Sequence, residues 1–300
     1  MPDRGTSRLM ARPGKEQTTR GDIKLSAQNL TTGFLQEKNE EVWWRSMQSQ
    51  DVMLPDEVVV EMEKWMKTPA SKWIWVEAPV DELAEKRLTC AAFRIAEIVL
   101  NSGMVCIYFF ASARPTWKGS SAKDSWNIQN SSRKEEAATA LLYSLITQLV
   151  RLPRELDRCP PDLCRPDAFD SLLDLSIPPA ARHAAALGLI RTLLDHAPKA
   201  LVLVVDAVHL ADCAATRRPL ADLLGMLRER GRSLGHVVKV LFTTVGSCAL
   251  LAANMQRGER VDAERMALAR PGLPLRGWSQ ISGPRGLGRG PGQNVASEDS

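Results

Sequence analysis

Between Lys72 and about Met255 the chain alternates short apolar runs with amphipathic helical stretches, and that alternation restricts its fold more than any other feature. Lys72-Trp-Ile-Trp-Val76 reads as a strand, and Glu85 to Asn101 as a helix with Leu88, Ala91, Ala92, Ile95, Ile98 and Val99 on its inner face. Met104 to Ala111 is a continuous apolar run, as expected of a strand buried on both faces of a parallel sheet. Helical periodicity returns over Lys134–Arg151, Pro179–His196 and Arg217–Arg230, separated by the strands Ala200-Leu-Val-Leu-Val-Val-Asp206 and Val237 to Thr244. A last helix is expected over Cys248–Gln256. Strands joined through helices need crossover connections, so the expected class is α/β, a three-layer parallel sheet flanked by helices.

The flanks read differently. Residues 1–40 are polar, mixed in charge and without period, and are expected to be a disordered tail. A short amphipathic helix, Val58 to Lys67, opens the domain expected over 58–255, and Thr68-Pro69 ends it. Residues 258–300 form the second expected disordered tail, because Pro271 to Gly292 holds seven glycines and four prolines in 22 residues. Gly286, Gly288 and Gly290 follow no strand and precede no helix, so they do not make a phosphate loop. The five arginines between Arg265 and Gly292, with no acidic residue among them, read as a solvated basic tail.

Charge and cysteines narrow the function classes. A net charge of +4 does not by itself call for nucleic acid as a partner. The longest apolar run, eight residues, is too short to span a membrane. The first residues lack the apolar core of a secretory signal, and Asp3, Glu16 and Asp22 interrupt the arginines that a mitochondrial presequence would carry. The six cysteines fit buried free thiols in the reducing cytoplasm. Cys159, Cys164, His183 and His196 match no zinc-knuckle spacing, and Pro160-Pro161 lies between the two thiols.

Ligands of an open parallel sheet bind outside the carboxyl ends of its strands, here Val76, Asp206 and Thr244. An apolar strand ending in a carboxylate, Leu201 to Asp206, is the pattern that holds magnesium against nucleotide phosphates; Asp206 as a plain strand end is the simpler reading. The succession is nevertheless informative. Trp65-Met66 precedes the Trp-Ile-Trp-Val strand, and a strand ending Tyr-Phe-Phe-Ala-Ser-Ala-Arg114 follows. Then come the helix Ala140-Leu-Leu-Tyr-Ser-Leu-Ile-Thr-Gln-Leu149, Asp206-Ala-Val-His209, and Lys239-Val-Leu-Phe-Thr-Thr244. Over roughly 58–255 this resembles the NACHT-type domain of STAND-class P-loop NTPases, and within that class the nephrocystin-like N-terminal domain of fungal multidomain proteins. The resemblance implies a P-loop NTPase-like fold, Mg-ATP or Mg-GTP as ligand, and a switch that works through protein partners or self-association.

The departures from that family fall on its chemistry. Its phosphate loop, Gly-x-x-Gly-x-Gly-Lys-Ser-Thr, corresponds here to Glu77-Ala-Pro-Val-Asp-Glu-Leu-Ala-Glu-Lys-Arg-Leu-Thr89, and no glycine occurs between Gly33 and Gly103. A phosphate cradle needs backbone N–H groups presented without Cβ atoms in the way. Asp81, Glu82 and Glu85 would also repel the anion; one like-charge contact costs about 4 kcal/mol near a surface, half of a micromolar affinity of roughly −8 kcal/mol. Lys86 takes the place of the family's lysine only in a lengthened loop, with Thr89 in place of its magnesium-binding hydroxyl; otherwise both belong to an ordinary helix. His209 replaces the second acid after Asp206, and Val245 replaces an arginine. The expectation is a degenerate nucleotide-binding domain acting as a scaffold or interaction module without hydrolysis. The alternatives are a weak ATP- or GTP-binding switch with Asp206 on magnesium, and a truncated or mis-spliced fragment of a larger NACHT protein. A further alternative is an unrelated α/β enzyme using the same strand ends; against it, the sequence contains no nucleophile elbow, redox Cys-x-x-Cys or His-Glu-x-x-His motif.

Overall fold

The computed structural model describes residues 20–32, 46–47, 53–113, 131–152, 166–268 and 278–280. In chain order these are helix α1 (Arg20–Thr32), strand β1 (Met53–Pro55), α2 (Asp56–Lys67), β2 (Lys72–Ala78), α3 (Glu82–Asn101) and β3 (Cys106–Phe110). Next come α4 (Ser131–Arg151), α5 (Pro166–Leu173), α6 (Pro179–Asp195), β4 (Ala200–Asp206) and α7 (Ala214–Arg232). The chain goes on through β5 (Val237–Val245), α8 (Ala249–Asn254), β6 (Arg260–Asp262), α9 (Ala263–Leu268) and β7 (Trp278–Gln280).

Five strands make one sheet in the order β3-β4-β5-β2-β6, every neighbouring pair parallel. Because side chains alternate across a strand, each strand feeds both cores. Trp73 and Trp75 of β2, Leu203 and Val205 of β4, and Val240 and Phe242 of β5 meet α1 and α4–α8 on one face. Ile74 and Val76, Val202 and Val204, and Leu241 meet α2 and α3 on the other. The protein is therefore α/β, a three-layer, P-loop NTPase-like sheet covered by helices on both faces.

Two boundaries differ from the sequence reading. Residues 20–32, placed there in a polar tail, form α1, whose Ile23, Ala27 and Leu30 are buried against the α4 side of the sheet. Thr147 Oγ1 of α4 donates to the Ala27 carbonyl at 2.8 Å. Three apolar residues at helical spacing are too sparse a stripe to read from sequence, yet they suffice once α4 offers a complementary face. The fold also runs past residue 255. β6 supplies the fifth strand, pairing Trp75–Glu77 with Arg260–Asp262, and β7 pairs antiparallel with β1. Three-residue strands carry no detectable alternation, so only their partners reveal them. The expectations for 1–19, 33–45, 269–277 and 281–300 lie outside the described residues, as do those for the polar stretch 114–130 and for Cys159 and Cys164.

Candidate functional site

The carboxyl edge of the sheet gathers Asp206, Thr243, Ser112 and Thr89 into one hydrogen-bonded cluster. Asp206 ends β4 and is 1% exposed. Its Oδ1 accepts from Thr243 Oγ1 of β5 at 2.6 Å, and its Oδ2 accepts from Thr89 Oγ1 of α3 at 3.1 Å and from the Ser112 hydroxyl just after β3. Burial pushes the Asp206 carboxyl above its usual range, and the three hydroxyls pull against that shift. Ala207 follows in the left-handed region at φ 54, its N–H donating to Thr243 Oγ1 at 3.2 Å. That backbone turn reverses the chain into the short 3-10 turn Val208–Ala211.

Of the sequence candidates, Thr89 and Asp206 meet and Lys86 stands apart. Lys86 is exposed on the early turns of α3 and is not among the partners of Asp206. The loop read as eight residues, 77–84, contracts to Pro79-Val80-Asp81, because β2 continues to Ala78 and α3 begins at Glu82. Asp81 caps α3 by accepting from Ala84 N at 2.9 Å, with Glu82 and Glu85 in the first turn. That capping pattern was available in the sequence and marks where the helix starts. Val80 is held against the end of β5: Gly246 N donates to the Ala78 carbonyl at 2.8 Å, and a Cβ on Gly246, at φ +71, would lie 2.8 Å from Val80 Cγ2. Glycine is required at 246 on both counts.

These residues do not fit a magnesium nucleotide. The loop has no glycine, and Pro79 has no N–H to offer a phosphate. The first turn of α3, where a phosphate oxygen would seat, already holds the chain's own anion, Asp81. Thr89 lies seven residues into the helix, about 10 Å from its start at 1.5 Å per residue, so a hydroxyl beside Asp206 is not also beside the helix N-terminus. Asp206 is 1% exposed and both its oxygens accept from hydroxyls, so a cation there would have to displace those contacts. No group of three or more metal-ligating side chains occurs among the described residues.

The two other departures from the nucleotide-binding pattern touch one another. Val245 N donates to His209 Nδ1 at 3.4 Å, a long contact. Burial, with Lys134 nearby, pushes the imidazole down to about 4. His183 is no ligand either: its Nε2 pairs with Thr139 Oγ1 at 2.9 Å in the helical layer. His196 Nδ1 donates back to the Thr192 carbonyl at 2.9 Å, closing the end of α6.

Sequence reasoning missed a cleft of about 220 Å³ on the opposite flank of α3, lined by Leu54, Ala78, Ala84, Leu88 and Ala263, with Asp81, Arg87 and Glu264 as its charged residues. It exists only because β1 and α9 close over the end of β2, and both lie outside the readable pattern. No helix among the described residues is long and apolar enough to cross a membrane. Comparison with protein-family models, curated proteins and solved structures gives no match.

Proposed function

We propose that the chain is a degenerate NACHT-type domain of the STAND class that serves as a scaffold or interaction module and does not hydrolyse nucleotide. The observation that carries this reading is the β2–α3 connection: three residues, no glycine, and a helix start neutralised by Asp81. A parallel sheet with Asp206 at a strand end keeps the architecture of a nucleotide switch while the phosphate-gripping parts are gone. Protein partners or self-association, in the cytoplasm and with no nucleotide needed, follow from that family role; neither membrane nor nucleic acid is part of it.

One contact favours a second reading. Thr89 Oγ1 and Asp206 Oδ2, 3.1 Å apart, are the hydroxyl and carboxylate that a weakly ATP- or GTP-binding switch would turn toward magnesium. A thermal-shift titration separates the two. The scaffold reading expects no shift at millimolar ATP or GTP with magnesium, and phosphate release at background. Binding at one hundred times its dissociation constant would stabilise the fold by about 2.7 kcal/mol; such a shift, dependent on magnesium and lost in Asp206→Ala, overturns the scaffold reading.

A further inference from the structure

α4 belongs to a helical layer, and a helix there ordinarily keeps one polar face in water. This one does not: every residue from Ala137 to Thr147 is buried. β3, α6 and α7 cover part of its surface, and α1 adds a further cover, packing on α4 and on α5. α4 and α5 are themselves joined where the Tyr143 hydroxyl donates to the Leu172 carbonyl at 2.5 Å. Onto this pair α1 turns Ile23, Ala27 and Leu30, a large, a small and a large side chain at i, i+4 and i+7, all buried. The small residue stands where the helices come close, since Thr147 Oγ1 of α4 reaches the Ala27 carbonyl at 2.8 Å. Leu25, 60% exposed, Gln28 and Asn29 lie on the other side.

Docking is what holds α1. Thirteen residues is about the shortest helix that persists alone in water, and residues 33–52 separate it from β1. Its buried stripe, among the described side chains, is three residues, whereas β4 and β5 in the middle of the sheet are buried along most of their length. An element with few buried contacts opens locally well before the core unfolds. We infer that the groove of α4 and α5 is a docking site for an amphipathic helix of a partner protein with that large–small–large triplet, which displaces α1 by taking its place. The helix now seated there states the occupant's chemistry. Helix-in-groove recognition is read as apolar anchors at that spacing, and a bulky or charged side chain at the middle anchor would meet α4 at Thr147. This names the partner for the interaction-module reading, and rests on it.

The probe is a fluorescent peptide of residues 20–32, titrated by anisotropy into the full chain without nucleotide. Leu30→Asp in the chain loosens α1 and leaves the residues of α4 and α5 untouched. We expect the peptide to bind this variant at least about tenfold more tightly than wild type, where α1 competes in cis. A peptide carrying Ala27→Arg should bind neither. In wild type the amides of Ala27 and Leu30 should exchange at least about 100-fold faster than those of Val204 and Val205. α1 amides as slow as those of β4 overturn the inference. So does a cooperatively melting Leu30→Asp chain that takes no peptide, or takes the Ala27→Arg peptide equally well. Dimerisation of wild type on concentration, by sedimentation, gives the groove to α1 of a second copy and overturns the partner assignment. If Leu30→Asp does not fold, Ile23→Ala decides by the same readouts. None of these outcomes touches the nucleotide titration, so a groove that takes no helix leaves the scaffold reading standing.

Discussion

Asp206 ends β4 almost wholly buried, and two influences oppose each other there. Desolvation raises its pKa, while the three hydroxyls that donate to its oxygens lower it. Asp206→Asn therefore keeps the shape without the buried charge, and we expect it to hold or raise stability at pH 7, by about 1 kcal/mol. Asp206→Ala strands the hydroxyls of Thr89, Ser112 and Thr243 and should cost about 1–3 kcal/mol. Urea unfolding of both variants checks this; an Asn variant as damaged as the Ala variant would mean that the carboxylate is ionised and needed so. Next door, Ala207 holds φ 54, where an L-residue is strained by about 1–2 kcal/mol and glycine is not. Ala207→Gly should come out neutral to slightly stabilising, the relief of strain being offset by glycine's greater chain entropy.

Single side chains also tie the elements together. Arg228 of α7 stacks 3.9 Å over the Trp73 ring and grips Glu259 through two nitrogens at 3.0 and 2.6 Å. Glu259 in turn accepts Gln256 N on its carboxylate and Trp75 N on its main-chain carbonyl. This fastens the turn before β6 onto β2. Arg228→Lys keeps the charge but loses the planar fork and the stacking, and it should cost about 1–3 kcal/mol in a denaturant titration. Lys239, inside β5, donates to the Trp65 and Met66 carbonyls at the end of α2, at 3.1 and 2.5 Å. Nothing in its sequence neighbourhood marks it, because a lysine in an apolar strand shows its purpose only when a helix end comes to meet it. The elements themselves were largely legible: β4 spans Ala200–Asp206 as its apolar run indicates, and α2, α4, α6 and α7 begin or end within a few residues of their periodic stretches. Among these elements the β2–α3 junction differs, because β2 runs on to Ala78 and the Asp81 cap starts α3 at Glu82, three residues before the Glu85 start expected from the sequence.

Across the whole molecule, β6 decides where the domain ends. A chain stopped at 255 lacks Arg260–Asp262, exposing the edge of β2 at Trp75–Glu77 and removing the Arg228–Glu259 and Arg260–Glu77 ion pairs. Such a fragment should unfold at lower denaturant than one ending at 268, and equal midpoints would place the boundary where the sequence suggested. Acid sensitivity is a second global property. His209 is pushed down to about 4 and His183 is also lowered, in both cases through burial first. A histidine whose folded pKa lies below its unfolded value, about 6.5, adds stability that is complete above 6.5 and lost as pH falls toward the folded value. For His209 that loss is at most about 3 kcal/mol. Asp206, shifted upward, has the opposite sign and recovers stability as it protonates. Chemical denaturation of wild type and His209→Gln between pH 7 and 4 should show a steeper decline in wild type, and parallel curves would remove His209 as the cause.

The amino-acid sequence alone determined the class of this protein, because alternating apolar runs and helical stripes can satisfy their backbone hydrogen bonds and bury their side chains only as a parallel sheet between helices. It also determined that the β2–α3 connection holds no glycine-rich phosphate cradle, since the absence of glycine there is a covalent fact that no folding can change. Tertiary structure decided the rest: which hydroxyls close over Asp206, how a three-residue strand completes the sheet, and which side chain meets the Tyr108 backbone. Each of these depends on groups far apart in the chain, such as Thr89 with Asp206 or Tyr108 with Gln148, and local pattern carries no information about who will be opposite whom.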